Sequence, residues 1–298
     1  MILDERAVRD LLSMEELIPA MAKAMDDLSS GKVVQPGRVM LPVAEHQGFL
    51  GLMPAYGGAL GAKLVAFYPN NQGIPSHHAM IVLFKPETGE PLVTMDGRLI
   101  TEMRTAAVSA VATRLLARPE ASVLGILGSG VQARSHLAAL RLVRTIREVR
   151  VWSPRNAAAF AREFGVRAAP SAEEAVRGSD IVVVATSSQT PVLSGAWLAP
   201  GTHINAVGAP RPTWRELDDD ALRKARLYVE QREAATRESG DVIAAGKIFA
   251  EIGEVVAGRK PGRQSADEIT LYKSVGVAVQ DIVSAELVYR KALKAGIK

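Results

Sequence analysis

One stretch narrows the possible folds of this 298-residue chain more than any other. Val123-Leu124-Gly125-Ile126-Leu127 is a short, wholly apolar run, Gly128-Ser129-Gly130 turns sharply, and Val131-Gln132-Ala133 opens a helical pattern. A strand that is apolar without alternation is buried on both faces, which requires a parallel sheet covered by helices. The residues that follow agree. Strand patterns at 148–152, 166–168, 180–185, 203–207 and 227–229 are interspersed with helical stretches at 132–143, 156–163 and 171–177. Such alternation gives βαβ units and an α/β, doubly wound parallel sheet of the Rossmann type.

The turn also has a chemical reading, because its glycines follow the order GxGxxA. Gly128 permits the tight turn, Gly130 lets the backbone approach a pyrophosphate, and Ala133 lets the helix pack close to the strand. Free N–H groups in the first helical turn then hold the diphosphate. Gly128, Gly130, Val131 and Gln132 are therefore expected to bind a dinucleotide. A carboxylate at the end of the second strand, about 20 residues on, would select a free ribose 2′-hydroxyl. Val151-Trp152-Ser153-Pro154-Arg155-Asn156 stands there instead. With no acid, and with Ser153, Arg155 and Asn156 at that end, NADP(H) is favoured over NAD(H), since a guanidinium matches phosphate oxygens. The alternative, Arg155 as an ordinary surface cation at a helix start, stays open.

Ahead of Pro119 the texture is different. Residues 13–29 carry Leu17, Ile18, Met21, Met25 and Leu28 at helical spacing, with Ser13 as N-cap and Glu16 three residues on. From Val33 the pattern breaks into short runs at 39–43, 49–53, 62–68, 80–84 and 92–95, and Lys85-Pro86-Glu87-Thr88-Gly89-Glu90 reads as a hairpin turn. These make a mostly antiparallel sheet. A helix over 99–117 follows, rich in small residues, and 272–294 reads as one long amphipathic helix returning to this part of the chain. The expected organisation is two domains. Residues 1–118 with 275–298 form an α+β substrate and dimerisation domain, and 119–274 form the dinucleotide-binding domain.

Charge and composition exclude other classes. The formal charge is +4, but basic and acidic residues are interspersed. The densest cluster, Arg141, Arg144, Arg147 and Arg150, lacks interleaved aromatics and reads as a solvated face rather than a nucleic-acid surface. The absence of cysteine rules out disulfides and thiolate chemistry. There is no leader pattern, and no uncharged apolar run of the roughly 18 to 20 residues a bilayer needs, so a cytoplasmic protein without a membrane partner is expected. His77 and His78 point to opposite sides of an extended strand and the other histidines are scattered, so no metal site is expected.

Three cations in the first domain invite a chemical reading. Alternation along 62–68 sets Lys63 on one face with Val65 and Phe67, where an apolar setting would lower its pKa and suit proton transfer. A strand-end lysine reaching for water is an equally good reading of the spacing. Arg104 lies in the small-residue helix, where burial makes an unpaired charge costly and points to an anionic partner. Arg38, taken alone, reads as a surface residue.

Several distant segments carry a wider resemblance: Gly128 to Ala133 with His136, Met103-Arg104-Thr105-Ala106-Ala107-Val108-Ser109-Ala110, Ile204-Asn205-Ala206-Val207-Gly208-Ala209, and Leu271-Tyr272-Lys273-Ser274-Val275-Gly276. In these the chain resembles the ornithine cyclodeaminase/mu-crystallin family over nearly its whole length. Arg211-Pro212-Thr213-Trp214-Arg215-Glu216-Leu217-Asp218-Asp219, with Glu238-Ser239-Gly240-Asp241-Val242, is most similar to the mu-crystallin branch, which contains NAD(P)H-dependent ketimine reductases. The resemblance implies a homodimer paired through the N-terminal sheets. It implies that Arg38, Lys63 and Arg104 hold a substrate carboxylate, with Lys63 near the reacting carbon. It places Ser76, His77, Thr186, Val207 and Ser274 beside the cofactor and Glu238 in the pocket lining. Pro210 stands where ornithine cyclodeaminases carry an Asp that serves the substrate amine, which argues against cyclodeamination. The expected reaction is reduction of a small cyclic ketimine, such as 1-pyrroline-2-carboxylate or 1-piperideine-2-carboxylate. The alternatives are an alanine-type dehydrogenase, a cyclodeaminase and, in another class, a nucleotide-dependent binding protein.

Overall fold

Local patterns become elements in chain order in a computed structural model that describes residues 1–297. The chain opens with β1 (Ile2–Leu3), α1 (Glu5–Leu11), α2 (Met14–Ser29), β2 (Val39–Val43), β3 (Gly48–Tyr56), β4 (Leu60–Phe67), β5 (His77–Phe84) and β6 (Pro91–Asp96). Next come α3 (Arg98–Leu116), β7 (Val123–Leu127), α4 (Val131–Arg141), β8 (Glu148–Trp152), α5 (Ala157–Phe164), β9 (Arg167–Ala168), α6 (Ala172–Val176), β10 (Ile181–Val184) and β11 (His203–Ala206). The remainder is α7 (Asp219–Lys224), β12 (Ala225–Val229), α8 (Arg232–Glu238), α9 (Gly240–Ala245), β13 (Ala250–Glu251), α10 (Ile252–Val256), β14 (Ile269–Lys273) and α11 (Ala278–Lys294). Two units result, Met1–Arg104 with Val277–Lys298, and Thr105–Gly276. The division falls inside α3, whereas the change of sequence pattern at Pro119 marks the end of that helix.

Unit one is a sheet in the order β1-β6-β5-β4-β3-β2, antiparallel except where β1 joins β6. Ser13 caps α2 by accepting from the Glu16 backbone N–H, and its hydroxyl donates to the Glu16 carboxylate. The buried stripe of α2, Leu17, Ile18, Met21 and Met25, packs with α11, which lies across β3, β4 and β5. Register puts Val39, Leu41, Leu50, Leu52 and Met80 on the other face of the sheet, and all are exposed.

In unit two the eight strands found among the described residues are all parallel, in the order β13-β12-β14-β11-β10-β7-β8-β9. Chain order reverses between β7 and β10, where open α/β sheets present a ligand crevice at their carboxyl ends. The helix expected over 272–294 is corrected. Ile269–Lys273 is a central strand between β11 and β12, and Gly276, at φ 75°, breaks the chain before α11 starts at Ala278. Its apolar residues carry no period that separates a doubly buried strand from a buried helix.

The Arg141 to Arg150 cluster is less solvated than its composition implies. Arg144 is half-buried and donates to the carbonyls of Thr113, Arg114, Ala117 and Arg118, closing the C-terminal end of α3. The Thr113 carbonyl also accepts from the Ala117 N–H, and Ala117 and Arg118 lie just past the helix, so the guanidinium adds donors where those of the helix run out.

Candidate active site

Lys63 lies at the centre of the unit-one sheet, opposite Met53 on one side and Ile81 on the other. Strand alternation turns it to the face covered by α11, and it is 2% exposed. Its setting is not purely apolar. Nζ lies 2.7 Å from Oδ2 of Asp281 and donates to the Thr101 hydroxyl at 3.5 Å. Arg104, in α3, donates from Nε to the other Asp281 oxygen at 3.1 Å and from a terminal nitrogen to Oε1 of Gln280 at 2.7 Å. Much of the partner that burial demands of Arg104 is thus supplied by the chain itself.

Burial pulls the Lys63 ammonium down to about 8, against the attraction of Asp281 and with the help of Arg104 and Arg38. Burial opposes ionisation of Asp281 too, but Arg104 and Lys63 outweigh it and hold the carboxyl below its ordinary range. Arg38 is half-buried and close enough to act on Lys63, so the surface reading of this residue does not describe it. His77, facing the same side as Lys63, is pushed down to about 4 by burial and by the charges of Lys63 and Arg104, so it is neutral at pH 7. Ser76 immediately precedes it, its carbonyl paired with Tyr68.

Unit two gathers the remaining expected residues along one edge of its sheet. Gly128 follows β7 at φ 112°, and a Cβ there would meet the Ala185 carbonyl oxygen at 2.3 Å, so only glycine fits. A Cβ on Gly130 would meet no protein atom within 4 Å. The protein's own packing does not require that glycine, whereas a diphosphate approaching the backbone does. Gly130 is also the N-cap of α4 and offers no side-chain acceptor, which leaves the first N–H groups at Val131 and Gln132 for an anion. Ala133 is fully buried beneath them. These features fit a bound dinucleotide.

At the end of β8, Ser153 Oγ lies 2.9 Å from Ser129 Oγ and accepts from the Asn156 N–H, joining the glycine turn to the start of α5. Arg155 is exposed beside it. Thr186, Val207 and Ser274 follow β10, β11 and β14 at the same edge. The Thr186 N–H and hydroxyl both donate to Oε1 of buried Glu216, and the Ser274 hydroxyl donates to buried Glu230 at 2.6 Å. Glu238 is buried at the end of α8, where Arg237 donates to it at 3.3 Å. Ala209, after Val207 and Gly208, sits at φ 50°, a strained conformation for a residue with a Cβ.

Two groups of functional weight were missed from the sequence. Asp281 and Gln280 interrupt the apolar run from Val275 to Val283, a signal that a buried pair was needed there. Lys273 reaches Asp241 at 3.0 Å and Glu216 at 3.8 Å, all three buried. Lys273 lies within the segment mistaken for helix.

A parallel sheet with this glycine cradle at its switch point, in a chain that also buries a lysine beside an arginine, defines a nicotinamide-dependent oxidoreductase. The model of the ornithine cyclodeaminase/mu-crystallin family matches residues 1–296, and the chain belongs to that family. It is 49% identical to the ketimine reductase mu-crystallin of Mus musculus over 292 residues, 94% of this chain and 93% of that protein. It is 38% identical to an alanine dehydrogenase of Archaeoglobus fulgidus, over 100% of this chain and 96% of the relative. Among solved structures, the Δ1-pyrroline-2-carboxylate reductase of Thermococcus litoralis, in complex with NADH and L-proline, superposes with a TM-score of 0.94 at 42% identity, covering 99% of this chain and 98% of that one.

Proposed function

We propose that this chain reduces the C=N bond of small cyclic imino carboxylates, such as 1-pyrroline-2-carboxylate or 1-piperideine-2-carboxylate, to the cyclic amino acid. The observation that carries the reading is the buried Lys63, Arg104 and Asp281 cluster. Lys63 and Arg104 share the one carboxylate of Asp281, so these three groups carry a positive excess that a substrate carboxylate offsets. Arg38 and Arg104 hold that carboxylate. Lys63, charged at neutral pH but easily deprotonated, gives a proton to the imine nitrogen. Neutral His77 adds no charge that would compete for the anion. Held at the Gly128 and Gly130 turn, a dihydronicotinamide would supply the hydride that the imine carbon needs.

The finer assignments are part of the same reading. Gly128, Gly130, Val131 and Gln132 hold the diphosphate. Ser76, His77, Thr186, Val207 and Ser274 border the coenzyme, and Glu238 lines the substrate pocket. Ser153, Arg155 and Asn156, with no carboxylate among them, favour NADPH over NADH. The exposed apolar face of the unit-one sheet supports a homodimer paired through it, checked by a light-scattering mass of two chains.

A spectrophotometric panel tests the activity: NADPH and NADH oxidation with five- and six-membered cyclic ketimines, with pyruvate plus ammonia, and NAD(P)+ reduction with ornithine. Turnover of the ketimines alone is expected. Ammonia-dependent turnover of pyruvate as the main activity would assign an amino-acid dehydrogenase instead. Lys63→Met should lower kcat by about 10²-fold to 10⁴-fold while coenzyme still binds; unchanged turnover would remove Lys63 from the chemistry.

A further inference from the structure

Among the described residues, one carboxylate, that of Asp281, is in contact with Lys63. The sheet neighbours opposite it are Met53 and Ile81, and the charged or titratable groups acting on it from the packed elements are Arg104 in α3, Asp281 in α11, Arg38 ahead of β2 and His77 in β5. Three of these four repel a cation or stay neutral. Asp281 is fully buried, and its two oxygens are divided, one to Lys63 at 2.7 Å and one to Arg104 at 3.1 Å. A carboxylate split between two buried cations is an expensive way to hold a helix in place. Buried ion pairs add little stability over apolar packing of the same volume.

We infer that Asp281 is a positioning residue for the reduction: its carboxylate keeps the Lys63 ammonium charged and aimed as proton source, and fixes the Arg104 guanidinium for the substrate carboxylate. The inference rests on the reaction proposed above. Asp281 lies in the first turn of the 17-residue α11, where free N–H groups favour an anion. Gln280 steadies the arrangement, accepting from Arg104 at 2.7 Å and from the Val277 N–H at 3.3 Å. In the reaction, the N–H bond formed on the product nitrogen takes its proton from Lys63, whose N–H bond breaks to leave a neutral amine. Asp281 remains ionised beside Arg104 and draws a proton from solvent water back onto Lys63. Without the carboxylate, burial, Arg104 and Arg38 all act in one direction and discharge the lysine.

The test reads Lys63 directly and then through turnover. Protein labelled with ¹³C at lysine Cε is titrated by NMR, with the Lys63 signal assigned by its loss in Lys63→Met. In Asp281→Asn the amide nitrogen must face one of two donors, and the Lys63 midpoint should fall by at least about one pH unit. The alkaline limb of the kcat profile should move down with it, kcat at about pH 7.5 falling about tenfold or more and recovering toward acid. Asp281→Glu should restore part of both. A Lys63 midpoint unmoved by Asp281→Asn, or a lowered Tm with an unmoved alkaline limb, overturns the inference. Should Asp281→Asn not fold, the wild-type titration decides: a charged Lys63 at pH 7 supports it, and a neutral one overturns it. A wild-type enzyme inert toward every cyclic ketimine overturns the reaction itself, whatever the midpoints do. An active enzyme whose Lys63 ignores the substitution overturns the role of Asp281 alone.

Discussion

Each unit buries a lysine against acid, and the two clusters are unbalanced in opposite directions. In unit two, Lys273 faces two carboxylates, Glu216 and Asp241, and donates to the Gly208 carbonyl. Those acids are further engaged by the chain, Glu216 by the Thr186 N–H and hydroxyl, Asp241 by the backbone N–H groups of Glu216 and Leu217. In unit one, Lys63 and Arg104 share a single acid among the described residues. A cluster whose lysine is met by two acids, each held in turn by backbone N–H groups of its own chain, ties these segments together. A cluster left with surplus charge in a buried place is kept at a cost to stability, which selection tolerates where a ligand supplies the missing anion.

Removing each lysine breaks the comparison most severely if it is wrong. Lys273→Met strands two carboxylates in the interior of unit two, and a loss of about 3 to 5 kcal/mol is expected in denaturant unfolding. Lys63→Met leaves Asp281 paired with Arg104 and removes a cation whose burial is unfavourable. Because the folded state lowers its pKa from 10.5 to about 8, the lysine weighs against folding by about 3 kcal/mol below pH 8, a cost relieved as pH rises from 8 to 10.5. Stability within about 1 kcal/mol of wild type, or above it, is therefore expected beside a collapse of kcat. If both substitutions cost stability equally, Lys63 is a structural ion pair and the contrast fails.

The acid of unit two offers a pH signature of the other sign. Burial raises Glu216 from 4.5 to about 7, with Asp241 adding to the rise and Lys273 and Thr186 opposing it. A folded state that holds its proton more tightly than the unfolded chain is favoured fully below pH 4.5. That advantage is lost as pH climbs through about 7, roughly 3 kcal/mol in all. Glu216→Gln should flatten the stability profile between pH 4.5 and 7 without touching the alkaline region that Lys63 governs. A profile identical to wild type across that window would show that Glu216 is ionised throughout, and would place the cluster's charge balance elsewhere.

How far this contrast was visible in the sequence follows from the kind of force involved. Lys63 could be placed on an inner face because strand alternation has a fixed period of two, and Gly128 and Gly130 could be read because backbone conformation and close approach each leave a residue signature. Asp281 could not be paired with Lys63, since the contact joins strand and helix across more than two hundred residues with no local trace. The interruption of an apolar run by Gln280 and Asp281 was the available hint. Lys273 was hidden for a different reason. The doubly buried strand that carries it has no alternation, and a following apolar stretch continued its pattern into α11. Arg144 looked solvated because composition does not reveal that the last carbonyls of α3 need donors.

The smallest effect sharpens the comparison by adding a cation that is neither buried nor paired into a cluster. Arg155 is exposed at the end of β8, and water screens whatever it attracts. Arg155→Asp should therefore leave folding unchanged within about 0.5 kcal/mol. Its effect should fall on the ratio of kcat/KM for NADPH over NADH, lowered about tenfold or more, because the new carboxylate repels a 2′-phosphate and accepts from a free 2′-hydroxyl. The salt dependence of the NADPH KM should weaken in the same variant, since one screened attraction has been removed. A ratio that does not move would assign the choice of coenzyme to Ser153, Asn156 or the backbone around them. Arg155 would then belong with the ordinary surface cations, while the buried lysines would keep their opposed roles.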